Sequence, residues 1–480
     1  MVGPEPGHRG RRRLRIRRAG VANRYSSLRG SRTLTKKARI AVIGGGMSGL
    51  ELANELAARE TVRVEVIERG PATRKEHVLW DGGTHLGDEK TRRWAGEGWG
   101  PGGGLSERLG GRSLCYHGVF LGVEAPALAA WPVEWIDRLE GHYRTLPQEL
   151  EGSFPELRQR FRVAEGLGLR HVPQAAVLSA DRTLMKAYTP LTRATALAEA
   201  GTVEIVRAAV VRVHPRGRSW IVDVTDPEGT PGQRGPFDAC VLTSSAIGNV
   251  QLLSRSLDRE VETNLTDHLC VGGLVRLPPG RPLTEYRNRK LWAGYLPVPE
   301  LNTNIFVREF EPAPNGDRLL DIHAVVEQDA SDEGSSTLLA LPRSRPEAHI
   351  TPMVSEEDEA KLVEVRHRVS ALASLIGQEP VRALAESPGT LDQARAAIAT
   401  GAPNSVAYYR MPYGEYEHES STHPIGGKAI EVGTDLEVAE LPGVHVAGPG
   451  AFPRMGAANP ALTILAMSRS LAAVLHGRYS

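Results

Sequence analysis

The first clear pattern along the chain is an apolar run at 40–43 that leads, through glycines, into a helical segment at 51–58. A second run at 62–67 follows, in which apolar residues predominate. This order predicts a strand, a helix and a second strand. Such a unit is the usual beginning of a sheet that binds nucleotides.

Three glycines, Gly44, Gly46 and Gly49, form the pattern G-x-G-x-x-G between the first strand and the helix. The first permits a tight turn, the second lets the backbone approach a pyrophosphate, and the third packs helix on strand. Glu68 follows the second strand, 24 residues after Gly44, where a carboxylate can accept ribose hydroxyls. The pattern predicts a dinucleotide site; the alternative is a glycine-rich turn that binds nothing.

The middle of the chain continues the pattern with more strands. Runs rich in β-branched residues at 203–206 and 209–213 predict two of them. The segment 237–248 indicates a buried strand that ends in a tight turn, and 249–256 is expected to be a helix.

Between 269 and 417 the pattern changes. The runs 291–296, 304–307 and 319–326 alternate, or nearly alternate, between apolar and polar positions. Alternation of this kind predicts an antiparallel sheet with one face on a core. A charged helix is expected at about 355–374.

Composition limits the class of protein. The 480 residues favour two domains, which can be interleaved in sequence. Three cysteines without a C-x-x-C pair, and no apolar run near 18 residues, argue against a disulfide scaffold, a metal site and a membrane span. We therefore expect a cytoplasmic protein.

Charge is distributed unevenly. Residues 1–39 contain 13 Lys or Arg and one acidic residue, Glu5, which leaves a net charge of −11 on the remainder. The tail could be an arm for nucleic acid or an anionic surface. We favour a disordered extension over 1–38, because the acidic remainder would repel nucleic acid.

The best candidates for chemistry lie near the C-terminal end. His423, in the segment His-Pro-Ile-Gly-Gly, and Asn459, in Ala-Asn-Pro, supply a proton acceptor and an amide. This pair is the minimum needed to take a proton from an alcohol oxygen. Each has a plain alternative: His423 as a turn residue satisfied by the backbone, and Asn459 as the N-cap of a final helix.

A group of tyrosines precedes these residues and is followed by acidic ones. The group consists of Tyr408, Tyr409, Tyr413 and Tyr416, with Glu415, Glu417 and Glu419 beside it. Tyrosines can stack on a ring and bond to hydroxyls, so a pocket wall is one interpretation, and a buried strand and corner is the other. The acidic residues slightly favour a polyhydroxylated or amino-bearing substrate.

In their order along the chain, these motifs resemble the glucose-methanol-choline (GMC) oxidoreductases, flavoenzymes that oxidise alcohols with FAD. The resemblance extends from about residue 39 to 477. It rests on G-x-G-x-x-G at 44–49, Gly-Gly-Arg-Ser at 110–113, Ala-Ile-Gly-x-x-Gln-Leu-Leu-x-x-Ser at 246–256, Asn-Leu-x-Asp-His at 264–268, His-Pro-x-Gly-Gly at 423–427 and Asn-Pro-x-Leu-Thr at 459–463. The His/Asn pair is similar to that of the cholesterol and choline oxidases, and 443–453 is similar to a flavin-contacting stretch of bacterial sugar and polyol members.

The resemblance implies an α/β fold of two domains: a Rossmann-like FAD-binding domain and an inserted substrate domain built on an antiparallel sheet. The FAD-binding domain is expected from 39–165, 200–268 and 418–480. The substrate domain is expected from 166–199 and 269–417.

The resemblance also implies the residues that contact FAD. They are Gly44, Gly46, Met47, Ser48, Gly49, Glu68, Arg69, Arg112, Ser113, Cys115, Tyr116, Val210, Ser244, Gly448, Pro449, Asn459, Pro460 and Ala461. Cys115 occupies the position at which some members attach FAD through histidine, and Gly448 replaces a common aspartate. We therefore expect non-covalent FAD and no metal.

By the same resemblance, His423 takes the hydroxyl proton of the substrate while hydride passes to flavin N5, and Asn459 orients the oxygen. The expected substrate is a small-molecule alcohol: a sugar, polyol, aminosugar or glycosylated natural product. Oxygen or another acceptor would reoxidise the flavin. The alternatives are a flavin-dependent elimination, cleavage or desaturation on the same fold, a sterol or aryl alcohol oxidase, and a nicotinamide-dependent dehydrogenase.

Overall fold

A computed structural model describes residues 37–59, 61–74, 76–77, 79–80, 90–157, 166–181, 184–284, 291–344 and 346–479. Residues 1–36 of the extension predicted at 1–38 lie outside the described part of the chain. Within the described part, the early strands are β1 Ala38–Ile43, β2 Val62–Glu68, β3 Leu79–Trp80, β4 Trp94–Ala95, β5 Ala176–Leu178, β6 Leu184–Ala187, β7 Val203–Arg207, β8 Ala209–Arg216, β9 Ser219–Thr225, β10 Pro231–Phe237 and β11 Ala239–Leu242.

The later strands are β12 Val261–Leu265, β13 His268–Leu277, β14 Gly294–Val298, β15 Thr303–Glu309, β16 Arg318–Glu327, β17 Ser336–Ala340, β18 Ala348–Thr351, β19 Arg382–Ala383, β20 Ser405–Arg410 and β21 Val444–Val446. The helices are α1 Met47–Ala57, α2 Ala125–Leu128, α3 Val133–Leu150, α4 Leu191–Glu199, α5 Ser245–Leu257, α6 Glu356–Gly377, α7 Leu391–Thr400 and α8 Ala461–Tyr479.

A five-stranded parallel sheet forms the first half of the fold. Its order is β21-β11-β1-β2-β7. The strands β1 and β11 are buried nearly throughout, as expected for a sheet with helices on both faces. From β1 the chain crosses through α1 to β2 on one side, whereas β11 lies on the other side. A crevice therefore opens at the carboxyl ends of β1 and β11, where ligands bind in such sheets.

A six-stranded sheet forms the second half, in the order β14-β15-β16-β13-β20-β19. Its neighbours are antiparallel except for the short β19. One face packs against α6, where Val365 and Val369 are fully buried. Helix α6 begins at a Ser355 cap whose hydroxyl accepts from the Asp358 backbone, and four acidic residues occupy its first turn.

The α/β fold expected from the sequence is confirmed. The predicted runs at 304–307 and 319–326 lie in β15 and β16, and the predicted charged helix is α6. The run at 291–296 is only partly right, because the strand begins at Gly294. The division into the two discontinuous domains stays a prediction.

Candidate active site

A cavity of about 540 Å³ begins at the carboxyl ends of the parallel strands. Four of these strands contribute residues at or just beyond their carboxyl ends, because parallel strands end at the same edge of the sheet. From β1 and β2 these are Gly44 and Glu68, from β11 Ser244, and from β21 Gly448. Val210 of β8 closes the same end.

The glycines of the first turn have separate structural roles. Gly44 has φ +110°, and a Cβ there would lie 2.6 Å from the carbonyl oxygen of Thr243. At Gly49 a Cβ would lie 2.6 Å from Thr243 Oγ1 and would overlap the carbonyl oxygen of Gly44. A Cβ at Gly46 would meet no atom of the described residues within 4 Å. The first and third glycines are therefore needed for packing, and the second leaves space beside the helix N-terminus.

The N-terminus of α1 has the features of an anion site. Gly46 supplies no side-chain cap, and the first turn contains no acidic residue, so backbone N–H groups and the helix dipole remain available to a pyrophosphate. Glu68 lies beside it, where its carboxylate accepts from Gly45 N and Gly70 N at 2.7 Å each. The free space at Gly46, the uncapped helix and the carboxylate fit the diphosphate and ribose of FAD.

The structure brings most of the residues predicted to contact FAD to this one cavity. Those lining it are Gly44, Gly46, Met47, Ser48, Glu68, Arg69, Arg112, Ser113, Cys115, Tyr116, Val210, Ser244, Gly448, Pro449, Asn459, Pro460 and Ala461. Gly49 does not line it, because its Cα faces the carbonyl of Gly44 and the Thr243 side chain. Gly49 therefore has a packing role in this turn, and its contact with FAD stays a prediction.

Arg112 lines the middle of the cavity and is held from behind by carboxylates. Its guanidinium makes two hydrogen bonds to Glu419, one of them 2.8 Å long from Nη2, and also donates to the carbonyls of Glu417 and Gly104. Glu419 is 2% exposed. A buried charge pair of this kind fixes the segment 417–419 against the Gly-Gly-Arg-Ser segment.

His423, the base expected from the sequence, does not line the cavity. Its side chain is fully buried, with Nδ1 2.9 Å from Thr422 Oγ1 and Nε2 3.3 Å from the Asn249 amide nitrogen. A Cβ on Gly450 would lie within 2.9 Å of both ring nitrogens. Burial lowers the pKa of His423 to about 3. His423 therefore lies outside the lining of this cavity, whereas the sequence predicted it as the base that contacts the substrate.

His418, five residues earlier, lines the cavity instead. Its Nδ1 lies 2.7 Å from Nδ1 of His268, and its backbone N–H donates to Asp267 Oδ1 at 2.9 Å. Its ring meets Tyr416 edge-on, with centroids 4.7 Å apart. Burial, together with His268, holds the pKa of His418 well below its usual range. A neutral imidazole therefore lines the cavity at neutral pH.

Asn459 lines the same part of the cavity. Its side chain interacts with Tyr416, whereas its Oδ1 is buried and has no hydrogen-bond partner among the residues that the structure describes. Helix α8 begins at Ala461, two residues later. The side-chain oxygen is therefore not used as a helix cap and remains able to accept a hydrogen bond.

The end of the cavity near His418 is aromatic. Trp292, Phe306 and Tyr416 line it together with the polar residues His117, His323 and Arg308. Phe306 and Arg308 are two positions apart in β15, and they pair with His323 and Asp321 of β16. All four side chains therefore lie on the same face of the six-stranded sheet. This is the face opposite to α6.

Arg308 lies over the Trp292 ring, with its guanidinium carbon 4.3 Å from the ring centroid. It donates to Asp321 Oδ2 at 2.6 Å, and Tyr409 donates to Oδ1 of the same carboxylate at 2.7 Å. The pKa of Asp321, which burial would raise, is lowered by Arg308. The ion pair therefore presents a nearly neutral but strongly hydrogen-bonding surface to the cavity.

Of the four clustered tyrosines, only Tyr416 lines the cavity. Tyr408 and Tyr409 belong to β20 and are buried, as is Tyr413. The interpretation as a buried strand and corner thus holds for Tyr408, Tyr409 and Tyr413. Glu415 and Glu417 do line the cavity, whereas Glu419 is the buried partner of Arg112.

The sequence interpretation missed His418, Trp292, Arg308 and His323. A signal for His418 was present, since it begins a polar run, His-Glu-Ser-Ser-Thr, that ends at His423. The other three lie in strands or loops more than 90 residues before His418 in the sequence. Only the sheet register brings them to the site.

Cys115 and His117 both line the cavity. Burial raises the pKa of Cys115, and Glu417 adds to this effect. Burial lowers the pKa of His117 to about 3. In the described part of the chain no group of three or more His, Cys, Asp or Glu could hold a metal ion. No helix among these residues is both long and apolar enough to cross a membrane.

Comparison with known proteins gives three findings. Residues 331–468 match the family model described as GMC oxidoreductase, and residues 39–77 match that of pyridine nucleotide-disulphide oxidoreductase. The crystal structure of pyridoxine 4-oxidase from Mesorbium loti has a similar fold, with a TM-score of 0.61 at 16% identity, over 92% of this chain and 99% of that one. No curated protein sequence matches this chain.

Proposed function

Since the chain belongs to the GMC oxidoreductases and uses FAD, we propose that it oxidises the CH–OH group of an alcohol with His418 as the proton acceptor. The observation that carries this proposal is that His418 and Asn459 line the same cavity as the glycine turn and Glu68. His423 has no such access. In this respect the proposal departs from the sequence prediction.

Bound FAD would supply the acceptor for the carbinol hydride. The chain supplies the rest. A neutral His418 can take the hydroxyl proton, which contributes about 10² to 10⁴ in rate for a positioned side chain. The unpartnered Oδ1 of Asn459 is suited to accept from a substrate donor.

We propose a hydroxylated ring as the substrate: a sugar, an aminosugar or a glycoside. Trp292 and Tyr416 offer aromatic surfaces on which such a ring can stack, and Arg308 and His323 offer polar groups at its edge. Because Asp321 balances the charge of Arg308, a neutral polyol fits better than an anion.

An aryl alcohol is the second candidate, and the three aromatic side chains Trp292, Phe306 and Tyr416 favour it. A solved structure with the same fold is that of a pyridoxine 4-oxidase. At 16% identity that likeness supports the fold and leaves the substrate of this chain to experiment.

The test is anaerobic mixing of the holoenzyme with separate panels of sugars, aminosugars, polyols, aryl alcohols and sterols, monitored by bleaching of the bound flavin. We expect bleaching by a sugar-type alcohol and recovery of the matching carbonyl product. Bleaching by aryl alcohols alone would favour the second candidate. A product formed without lasting bleaching, and with no net oxidation, would replace alcohol oxidation by a redox-neutral elimination or cleavage.

A further inference from the structure

His268 connects the cavity histidine to the backbone of the opposite segment. It is the first residue of β13 and is 2% exposed. Its Nε2 lies 2.7 Å from the carbonyl oxygen of Gly456, and its Nδ1 lies 2.7 Å from Nδ1 of His418. Three groups thus form one chain: a carbonyl, a buried imidazole and the imidazole that lines the cavity.

Donor and acceptor roles in this chain follow from its first member. A carbonyl oxygen only accepts, so Nε2 of His268 carries a proton and donates it to Gly456. A neutral imidazole has one N–H, which leaves the Nδ1 of His268 as an acceptor. Nδ1 of His418 must then be the donor, and Nε2 of His418 is left with a lone pair.

We propose that His268 is a positioning residue that holds His418 in the tautomer whose Nε2 is unprotonated and available in the cavity. This inference rests on the proposed function, because it gives His418 the form that a proton acceptor requires. The proton then moves from the substrate oxygen to Nε2. The resulting imidazolium donates from Nδ1 to His268, and a hydrogen bond from a charged donor is stronger than one from a neutral donor.

The anchor at the far end of the chain is itself rigid. Gly456 N donates to Glu327 Oε1 at 2.8 Å, and its φ of +69° is one that few other residues adopt. Asp267 fixes the near end, because its Oδ1 accepts from the backbone N–H of both His268 and His418 at 2.7 and 2.9 Å. The distance between the two rings is therefore set by the fold on both sides.

The charged and titratable groups around the pair favour its neutral form. Burial lowers the pKa of His268 to about 4. Arg112 and His323 oppose a positive charge on His418, as does His268 itself. On the other side lie Asp267, whose pKa is raised by burial and by Glu419, and Tyr416, whose ring contacts both imidazoles.

Two substitutions separate positioning from simple packing. In His268→Asn an amide oxygen can occupy the place of Nδ1 and accept from His418. In His268→Gln the amide reaches the place of Nε2 and bonds to Gly456, but nothing accepts from His418. We expect the Gln variant to lose about 10- to 100-fold in kcat with little change in KM, and the Asn variant to retain most activity. Both should retain FAD, measured by absorbance of the purified holoenzyme.

The direct measurement is imidazole ¹⁵N NMR of selectively ¹⁵N-histidine-labelled holoenzyme, with the His418 signals assigned by their loss in His418→Gln. We expect the Nδ1–H tautomer in the wild type and a loss of that preference in His268→Gln. An Nε2–H tautomer in the wild type overturns the inference even if neither His268 variant folds. Equal activity of the Asn and Gln variants overturns it as well.

These outcomes are distinct from failure of the proposed function. If His418→Gln turns over alcohol at the wild-type rate, His418 is not the proton acceptor. The tautomer measured in the wild type would still decide whether His268 fixes His418.

Discussion

The ring of His423 lies so close to the backbone of Gly450 that a methyl group there would come within 2.9 Å of both ring nitrogens. The backbone N–H of His423 also donates to the Gly450 carbonyl at 2.8 Å. This contact joins the segment after the cavity histidine to the turn after β21. His423 therefore serves the fold of the cavity wall, and His418 faces the cavity itself.

Substitution of these two histidines should give opposite results. His418→Ala is expected to lower kcat by about 10² to 10⁴ while FAD is retained, because it removes the proton acceptor, and to lower the melting temperature less than His423→Ala does, because His418 lines a cavity. His423→Ala is expected to lower the melting temperature, because it empties a buried site and leaves the Asn249 amide with one acceptor fewer. Stopped-flow flavin reduction and thermal denaturation measure the two effects.

A matched control for this pair is His423→Gln, which retains a polar side chain near Asn249. It should recover part of the lost stability. If His423→Ala remained fully stable but could not reduce its flavin, and His418→Ala were active, the assignment would revert to the sequence prediction.

The pH dependence of turnover should reflect the low pKa of His418. A base is active when it is unprotonated, so activity is lost as the pH falls through the pKa of the base. Since burial and His268 hold that pKa below its usual range, the acid limb of kcat/KM should lie below pH 6.5. A profile of kcat/KM from about pH 4 to 8 measures it.

Stability must be followed over the same range. Burial lowers the pKa of His268 to about 4 and that of His423 to about 3. Below about pH 6.5 the unfolded chain therefore binds more protons than the folded chain. The free energy of unfolding decreases as the pH falls through this range. The profile of kcat/KM should therefore include only rates measured on samples that remain folded at that pH. An acid limb above pH 6.5 in folded enzyme contradicts a buried neutral base.

The first half of the fold was predictable because its signals are local. The glycines of 44–49 and the apolar runs on both sides lie within 30 residues. A local backbone conformation explains such a residue, as the positive φ of Gly44 shows. The alternation at 319–326 likewise predicted β16, since a strand with one face toward a cavity and one toward α6 must alternate.

The cavity histidine was not predictable in the same way. His418 and His423 are five residues apart in one polar segment, and both are suited by residue type to act as a base. Their difference arises from partners far along the chain. His268 is 150 residues from His418, and Asn249 is 174 residues from His423. The sequence near either histidine contains no record of these contacts.

FAD is expected to be held without a covalent bond. Cys115 lines the cavity, but burial raises the pKa of its thiol, so little nucleophilic thiolate forms at neutral pH. Acid precipitation of the holoenzyme should leave the pellet colourless and the flavin in the supernatant. A yellow pellet would refute this, and Cys115→Ala and His117→Ala would then identify the attachment point.

Two glycines of the first turn should respond differently to the same added methyl group. At Gly46 the new Cβ would meet no atom of the described residues within 4 Å, so Gly46→Ala should cost less than about 1 kcal/mol of stability, mainly through a poorer helix cap. Its methyl group would occupy the space that a pyrophosphate needs. FAD affinity is therefore expected to fall by about tenfold or more, equivalent to about 1.4 kcal/mol.

At Gly49 the methyl group would overlap the Gly44 carbonyl and press on Thr243. Gly49→Ala should therefore destabilise the fold itself by about 1 to 3 kcal/mol or more, whether or not FAD is present. Melting temperatures of the apo and FAD-loaded forms, with FAD titrated into the apo form, separate the two effects. Unaltered FAD affinity in Gly46→Ala would mean that the diphosphate lies elsewhere in the cavity.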